Sequence, residues 1–206
     1  GGWYTMKADG SDWQHINGLP EDADNLQLSP DGNWLSFTKE VKLERISGSD
    51  FYPQWNKSNV QIYTTLNNRH WDEWEDGAYS HVFVASYKEG VIGQPRDIME
   101  GQLFDCPQKP HGGAEDMVWN PNSKSLVYVT KRKHGLDYAV STNTELMLYD
   151  VASGSVTALP GSDARLTFCT SYKRPSCRQS TFASRSLSTS MLICMFSLLV
   201  FSTCNV

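Results

Sequence analysis

The sequence contains no run of 18 apolar residues, and the apolar stretch near its C-terminus, residues 191–201, is short. A helix needs about 20 apolar residues to cross a bilayer, so no membrane span is predicted. The formal net charge is −5, from 18 Lys and Arg against 23 Asp and Glu, and the basic residues form no stripe. This distribution argues against a nucleic-acid-binding surface.

Several residue types disappear towards the C-terminus. No acidic residue follows Asp163, no tryptophan follows Trp119 and no glycine follows Gly161, whereas four of the five cysteines lie beyond residue 168. We therefore predict a folded β-rich domain over residues 1–160 and a basic, Ser- and Cys-rich tail over residues 161–206. The tail is expected to be disordered, and a frameshift or truncation explains it better than a C-terminal anchor.

The N-terminus also lacks a familiar feature. The chain opens on Gly1-Gly2-Trp3, with neither an initiator methionine nor a signal peptide. This start predicts that the sequence begins inside a longer polypeptide.

A hairpin signature occurs twice, 91 residues apart. The first copy, residues 26–38, is centred on Ser29-Pro30-Asp31-Gly32, and the second, residues 117–129, is centred on Asn120-Pro121-Asn122-Ser123. In both copies alternating apolar and polar residues flank a turn in which proline fixes φ. Each copy therefore predicts two antiparallel strands.

A second type of hairpin repeats 64 residues apart, at residues 81–90 and 146–154, and each copy ends on a glycine. Two alternating hairpins, and so four strands per repeat, are typical of β-propeller blades. The predicted fold class is all-β, a partial β-propeller of about two and a half four-stranded blades. An open propeller exposes strand edges, so we expect this chain to be a piece of a larger protein or to be completed by a partner.

The order of the motifs resembles a known family. Ser29-Pro30-Asp31-Gly32 is followed by His70-Trp71-Asp72-Glu73-Trp74-Glu75-Asp76-Gly77, then by Asp105-Cys106-Pro107-Gln108 and Gly112-Gly113-Ala114-Glu115-Asp116. Over roughly residues 3–160 the series resembles the N-terminal propeller of prolyl-oligopeptidase-family serine peptidases. Within this family the series resembles bacterial enzymes of the dipeptidyl-peptidase 5 and acylaminoacyl-peptidase type. The resemblance stops near residue 160, where the composition changes.

The resemblance implies a serine exopeptidase whose propeller gates the access of short peptides to a C-terminal α/β-hydrolase domain. It also implies a periplasmic or secreted protein. We predict no cofactor. This chain contains no G-x-S-x-G motif, so we assign it no catalytic residue, and the hydrolase domain would lie outside it. His70, Asp72 and His81 lack the compact spacing of metal ligands, so no metal site is predicted.

The spacings of the two hairpin types place about 27 extra residues between Lys39 and Ser80. Long loops on a rigid scaffold often carry function, and carboxylates beside aromatic rings suit the ammonium group of a peptide. We therefore predict Trp71, Glu73, Glu75 and Asp76 as substrate-binding residues. Glu73 and Glu75 would point the same way on an extended strand. A solvated acidic turn and an interdomain contact remain open as alternatives.

Two other functions compete with the gated exopeptidase. A non-catalytic, TolB-like propeller would bind a protein partner and would end after its last blade. A propeller glycosidase would need a pair of carboxyl groups about 5–10 Å apart, and only carboxylate pairs such as Glu73 and Glu75 support it.

Overall fold

A computed structural model of the chain describes residues 3–160, apart from residues 8, 67, 71 and 110 and the side chain of residue 70. The predicted tail, residues 161–206, lies outside the described residues. Thirteen strands are present within the described part: β1 (Tyr4–Thr5), β2 (Gln14–His15), β3 (Asp24–Leu28), β4 (Trp34–Lys42), β5 (Arg69–His70), β6 (Glu73–Trp74), β7 (Ala78–Lys88), β8 (Val91–Ile92), β9 (Arg96–Asp97), β10 (Met117–Trp119), β11 (Ser125–Thr130), β12 (Glu145–Asp150) and β13 (Val156–Ala158).

Helical structure is sparse. The α-helices are α1 (Gly48–Phe51) and α2 (Gly135–Val140), and short 3-10 turns cover Pro53–Trp55 and Ala114–Asp116. No helix in the described ranges is long and apolar enough to cross a membrane. The prediction of an all-β fold is confirmed.

The first large sheet has the order β3-β4-β7-β8, and β9 pairs with β7 beside β8. All of its pairs are antiparallel, and β4 pairs with β7 along its whole length, from Trp34 opposite Ser86 to Lys42 opposite Ala78. The predicted turn joins β3 to β4. Its Asp31 carboxylate accepts the Ser29 hydroxyl at 2.6 Å and the Asn33 backbone N–H at 3.1 Å.

The second large sheet has the order β10-β11-β12-β13, again antiparallel throughout. Its second strand begins at Ser125, which is 91 residues after Trp34, the first residue of β4. Both predicted hairpin types are therefore strand pairs of two similarly connected sheets. That these sheets are propeller blades stays a prediction.

Residues of the first sheet contribute to two separate apolar cores. One core joins it to the second sheet and contains Val82, Val84, Ile98, Met99, Phe104, Cys106, Met117, Trp119, Leu126, Tyr128, Met147 and Tyr149. The other joins it to the N-terminal segment and contains Ile16, Ala23, Leu26, Leu35, Phe37, Ala85, Tyr87 and Ile92.

Strand β4 shows how the sequence produces this arrangement. Leu35 and Phe37 enter the N-terminal core, whereas Trp34 packs on the other core. Ser36 also faces the second sheet, because the indole N–H of Trp119 donates to its hydroxyl at 2.9 Å. Successive side chains of a strand point to opposite faces, so each apolar residue of this alternating sequence finds a neighbouring layer.

Candidate functional site

The predicted acidic segment lies in the long connection between β4 and β7. Trp71 is outside the described residues. Glu73 is exposed in the two-residue strand β6, where it pairs with His70. Asp76 is exposed, and its Oδ1 accepts the backbone N–H of Ala78 at 2.8 Å, which fixes the start of β7.

Among the described members of this set, Glu75 lies in a protected environment. Only 14% of its side chain is exposed, and its Oε2 lies 3.7 Å from the Nζ of Lys109. The same Nζ lies 3.9 Å from Oδ1 of Asp105, whose side chain is 5% exposed. Lys109 therefore bridges two carboxylates that are thirty residues apart in sequence.

Further acids surround this bridge. The charges of Glu40 and Asp76 also act on Lys109, and Tyr79 donates its hydroxyl to Glu44. We call the group around Lys109 the acidic cluster and define it as Glu40, Glu75, Asp76 and Asp105 with Lys109. As defined, it sets four carboxylates against one ammonium group.

The backbone of the first sheet holds the cluster in place. The N–H of Ser80 donates to Oδ1 of Asp105 at 2.9 Å, and the N–H of Cys106 donates to the carbonyl oxygen of Ser80 at 2.8 Å. The hydroxyl of Thr130 in β11 donates to the Asp105 carbonyl oxygen at 3.0 Å. Asp105 is thus fixed between β7 and β11.

The long connection returns to the sheet at Gly77, whose φ is +86°. Its carbonyl oxygen accepts the N–H groups of Leu43 at 2.9 Å and of Glu44 at 3.0 Å. A Cβ atom at this position would lie 2.3 Å from the carbonyl oxygen of Glu44. Glycine is required here by the left-handed backbone and by the close approach of the two chain segments.

The buried location perturbs the charges of the cluster. Burial raises the pKa of Asp105 to about 6, although the positive charge of Lys109 and the N–H of Ser80 act against this rise. Burial also lowers the pKa of Lys109, but the charges of Asp105 and Glu75 raise it more, so it lies above its ordinary value. The ammonium group of Lys109 is therefore held in its charged form.

Aromatic rings lie beside the carboxylates. The hydroxyl of Tyr63 donates to the carbonyl oxygen of Glu75 at 2.7 Å, and its ring stacks on Trp74 with centroids 6.0 Å apart. Trp74 is 54% exposed. Burial raises the pKa of Tyr138 to about 12, and the charges of Asp105 and Glu75 contribute to this rise.

This arrangement suits the binding of a cation. Carboxylates in excess, partly shielded from water and next to aromatic faces, attract an ammonium group through ion pairing and cation–π contact. The described residues contain no group of three or more His, Cys, Asp or Glu side chains that could hold a metal ion.

Sequence reasoning assigned no role to Asp105, Lys109, Tyr63 or Tyr79. Asp105 was visible only as part of the Asp105-Cys106-Pro107-Gln108 motif of the resemblance. Its place beside Glu75 depends on the pairing of Cys106 with Ser80, which no local pattern encodes.

No family model matches the chain. The chain is 36% identical over 155 residues to dipeptidyl-peptidase 5 of Porphyromonas endodontalis, a match that covers 75% of this chain and 22% of that protein. It is 37% identical over 127 residues to dipeptidyl-peptidase 5 of Porphyromonas gingivalis, which covers 62% of this chain and 18% of that protein. Dipeptidyl-peptidase 4 of Giardia intestinalis is 24% identical over 159 residues, which covers 66% of this chain and 21% of that protein.

The chain thus spans about a fifth of the length of the curated relatives it matches. The similarity supports a relationship to a dipeptidyl-peptidase family.

Proposed function

We propose that this chain is the propeller part of a serine exopeptidase of the prolyl oligopeptidase family, and that it gates the access of short peptides to an α/β-hydrolase domain. The proposal rests on the similarity to dipeptidyl-peptidase 5. It rests equally on two successive antiparallel sheets, the first of five strands and the second of four, in which four strands lie side by side in chain order.

The packing of the first sheet is the observation that carries the propeller assignment. Its residues belong to two apolar cores, one formed with the second sheet and one with the N-terminal segment. In a propeller each blade packs between two neighbours around a central channel. On this view the hairpin of β1 and β2 belongs to the preceding blade.

The acidic cluster supplies the substrate contact in this proposal. A dipeptidyl peptidase must hold the free ammonium group of its substrate so that cleavage falls two residues from the N-terminus. Glu75 combines an ionisable side chain that is 14% exposed with an adjacent aromatic pair, Tyr63 and Trp74. We assign Glu75 as the principal ligand of that ammonium group, and we place the protein in the periplasm or outside the cell.

The test uses the full-length protein that contains this chain and two chromogenic dipeptide anilides, one with a free amino group and one acetylated. We expect hydrolysis of the free dipeptide and little hydrolysis of the acetylated one. Glu75→Gln should raise KM for the free dipeptide about tenfold to one hundredfold, as expected for the loss of a charge-assisted hydrogen bond. The same substitution should leave the weak hydrolysis of the acetylated dipeptide unchanged.

Glu73→Gln is the matched control, because it removes the same charge from an exposed position of the same hairpin. An equal change in both variants, or no change in Glu75→Gln, would reject the ammonium site. Absence of any hydrolysis would reject the peptidase assignment and favour the alternative, a TolB-like interaction module.

A further inference from the structure

His81 lies in the middle of β7 and has no exposed surface. Its Nδ1 is 2.8 Å from Oδ2 of Asp97, and its Nε2 is 2.8 Å from the carbonyl oxygen of Gln102. The carbonyl oxygen can only accept a hydrogen bond. The other oxygen of Asp97 accepts the N–H of Met99 at 2.7 Å, which favours an ionised carboxylate.

These contacts determine the protonation state of the ring. A neutral imidazole carries one N–H and one bare nitrogen, whereas the imidazolium carries two N–H groups. A neutral ring would direct the lone pair of one nitrogen at an acceptor 2.8 Å away, a distance too short for a water molecule to lie between them. An imidazolium donates to both acceptors, so both ring nitrogens have a suitable partner.

The segment that His81 holds runs beside β7 between two backbone contacts. Ile98 donates to the Val82 carbonyl oxygen at 3.1 Å, and Cys106 donates to the Ser80 carbonyl oxygen at 2.8 Å. Between these contacts, residues 99–105 bulge away from the strand, and Gln102 returns to His81. The bulge supplies Met99 and Phe104 to the core and Asp105 to the acidic cluster.

We propose that His81 is a pH-dependent latch: its imidazolium fastens residues 98–105 to β7, and loss of its proton releases them. The latch follows from two acceptors facing one fully buried ring. It does not depend on the proposed peptidase function.

The charges around the ring favour the protonated form. Burial lowers the pKa of His81, but the hydrogen bond and charge of Asp97 outweigh burial, and Asp105 adds its charge, so the pKa lies above 6.5. From β4, Lys39 is the register partner of His81, but its ammonium lies 3.2 Å from Asp22.

Among the described residues of the second sheet, we find no unpaired positive charge beside the His81 ring. After β11, Arg132 lies 3.6 Å from Glu145. Burial raises the pKa of Tyr128 and of Cys106, so both stay neutral.

The raised pKa of His81 makes the stability of the folded protein depend on pH. The folded state binds the proton of His81 more tightly than the unfolded chain, so this stabilisation is complete below about pH 6.5 and is lost as pH rises through the folded-state pKa. The ratio of folded to unfolded protein should therefore fall as pH rises through the folded-state pKa of His81.

The first experiment is NMR of the ring nitrogens of His81 in the intact chain at pH 6.5. Two protonated nitrogens are expected, and their signals should change together as pH rises. One protonated and one bare nitrogen at pH 6.5 would overturn the proposal. This measurement needs no variant, so it does not depend on whether a variant folds.

Amide hydrogen exchange tests the release itself. The exchange of residues 98–105, relative to that of β11 in the same sample, should accelerate above the pKa of His81. A uniform acceleration of both regions would reject a local latch. His81→Gln should abolish the difference, whereas His15→Gln, which changes an exposed histidine, should preserve it.

Discussion

Asp105→Asn should stabilise the protein at neutral pH. The carboxyl group of Asp105 is 5% exposed and accepts the N–H of Ser80 at 2.9 Å, and its ion pair with Lys109 is long, at 3.9 Å. Asparagine has almost the same shape and retains an oxygen for Ser80. It removes the charge that burial disfavours.

The size of the effect follows from the pKa of Asp105, which burial raises from 3.8 to about 6. This difference corresponds to about 3 kcal/mol between the ionised and protonated folded states. Because the folded state holds the proton more tightly, stability declines between about pH 4 and pH 6, and the loss persists at pH 7. Asp105→Asn should therefore gain up to about 3 kcal/mol at pH 7 and almost nothing at pH 3.5.

The assay is urea unfolding of the intact chain at several pH values between 3.5 and 8. Asp72→Asn is the control, because it removes one negative charge from an exposed position in the long connection. A lower free energy of unfolding for Asp105→Asn at pH 7 would refute the reasoning, since it would mean that attraction to Lys109 outweighs burial.

Two further predictions concern the framework. The first concerns the hydrogen bond from the Trp119 indole to the Ser36 hydroxyl, 2.9 Å long and between buried groups. A double-mutant cycle with Trp119→Phe and Ser36→Ala should give a coupling energy of about 1 kcal/mol. Zero coupling would contradict a contribution of this hydrogen bond to stability. Gly77→Ala should destabilise much more than Gly10→Ala in thermal unfolding, because both glycines have positive φ but an added Cβ meets the Glu44 carbonyl oxygen only at Gly77. Equal losses would contradict a role for this close approach.

Much of the sheet structure could be predicted because hairpins leave local signals. The turn at Ser29-Pro30-Asp31-Gly32 is closed by its own side chains, and its counterpart at Asn120 to Ser123 occupies the same place in the second sheet. The spacing of 91 residues therefore positioned the starts of β4 and β11 correctly.

The environment of the acidic segment was beyond sequence reasoning. The alternation of side chains in an extended strand predicts the same orientation for Glu73 and Glu75. In the structure Glu73 is exposed, whereas Glu75 is shielded from solvent. Strand β6 ends at Trp74, and the backbone N–H of Glu75 donates to the carbonyl oxygen of Asn68 at 3.2 Å. The shielding comes partly from Lys109, which reaches Glu75 only through the folded course of the chain.

Two titrating groups, Asp105 in the bulge and His81 in β7, act against each other near neutral pH. Ionised Asp105 destabilises the segment above about pH 6, while protonated His81 fastens the same segment to β7 until its own proton is lost. A neutral residue at position 105 would remove the destabilisation by ionised Asp105. The segment would then depend less on stabilisation by protonated His81. A fold that keeps a buried charge at a cost in stability commonly does so for function. Under the proposed function, this segment would maintain the orientation of Asp105 and Glu75 around Lys109. Asp105→Asn combined with His81→Gln should leave a stable sheet with an altered acidic cluster.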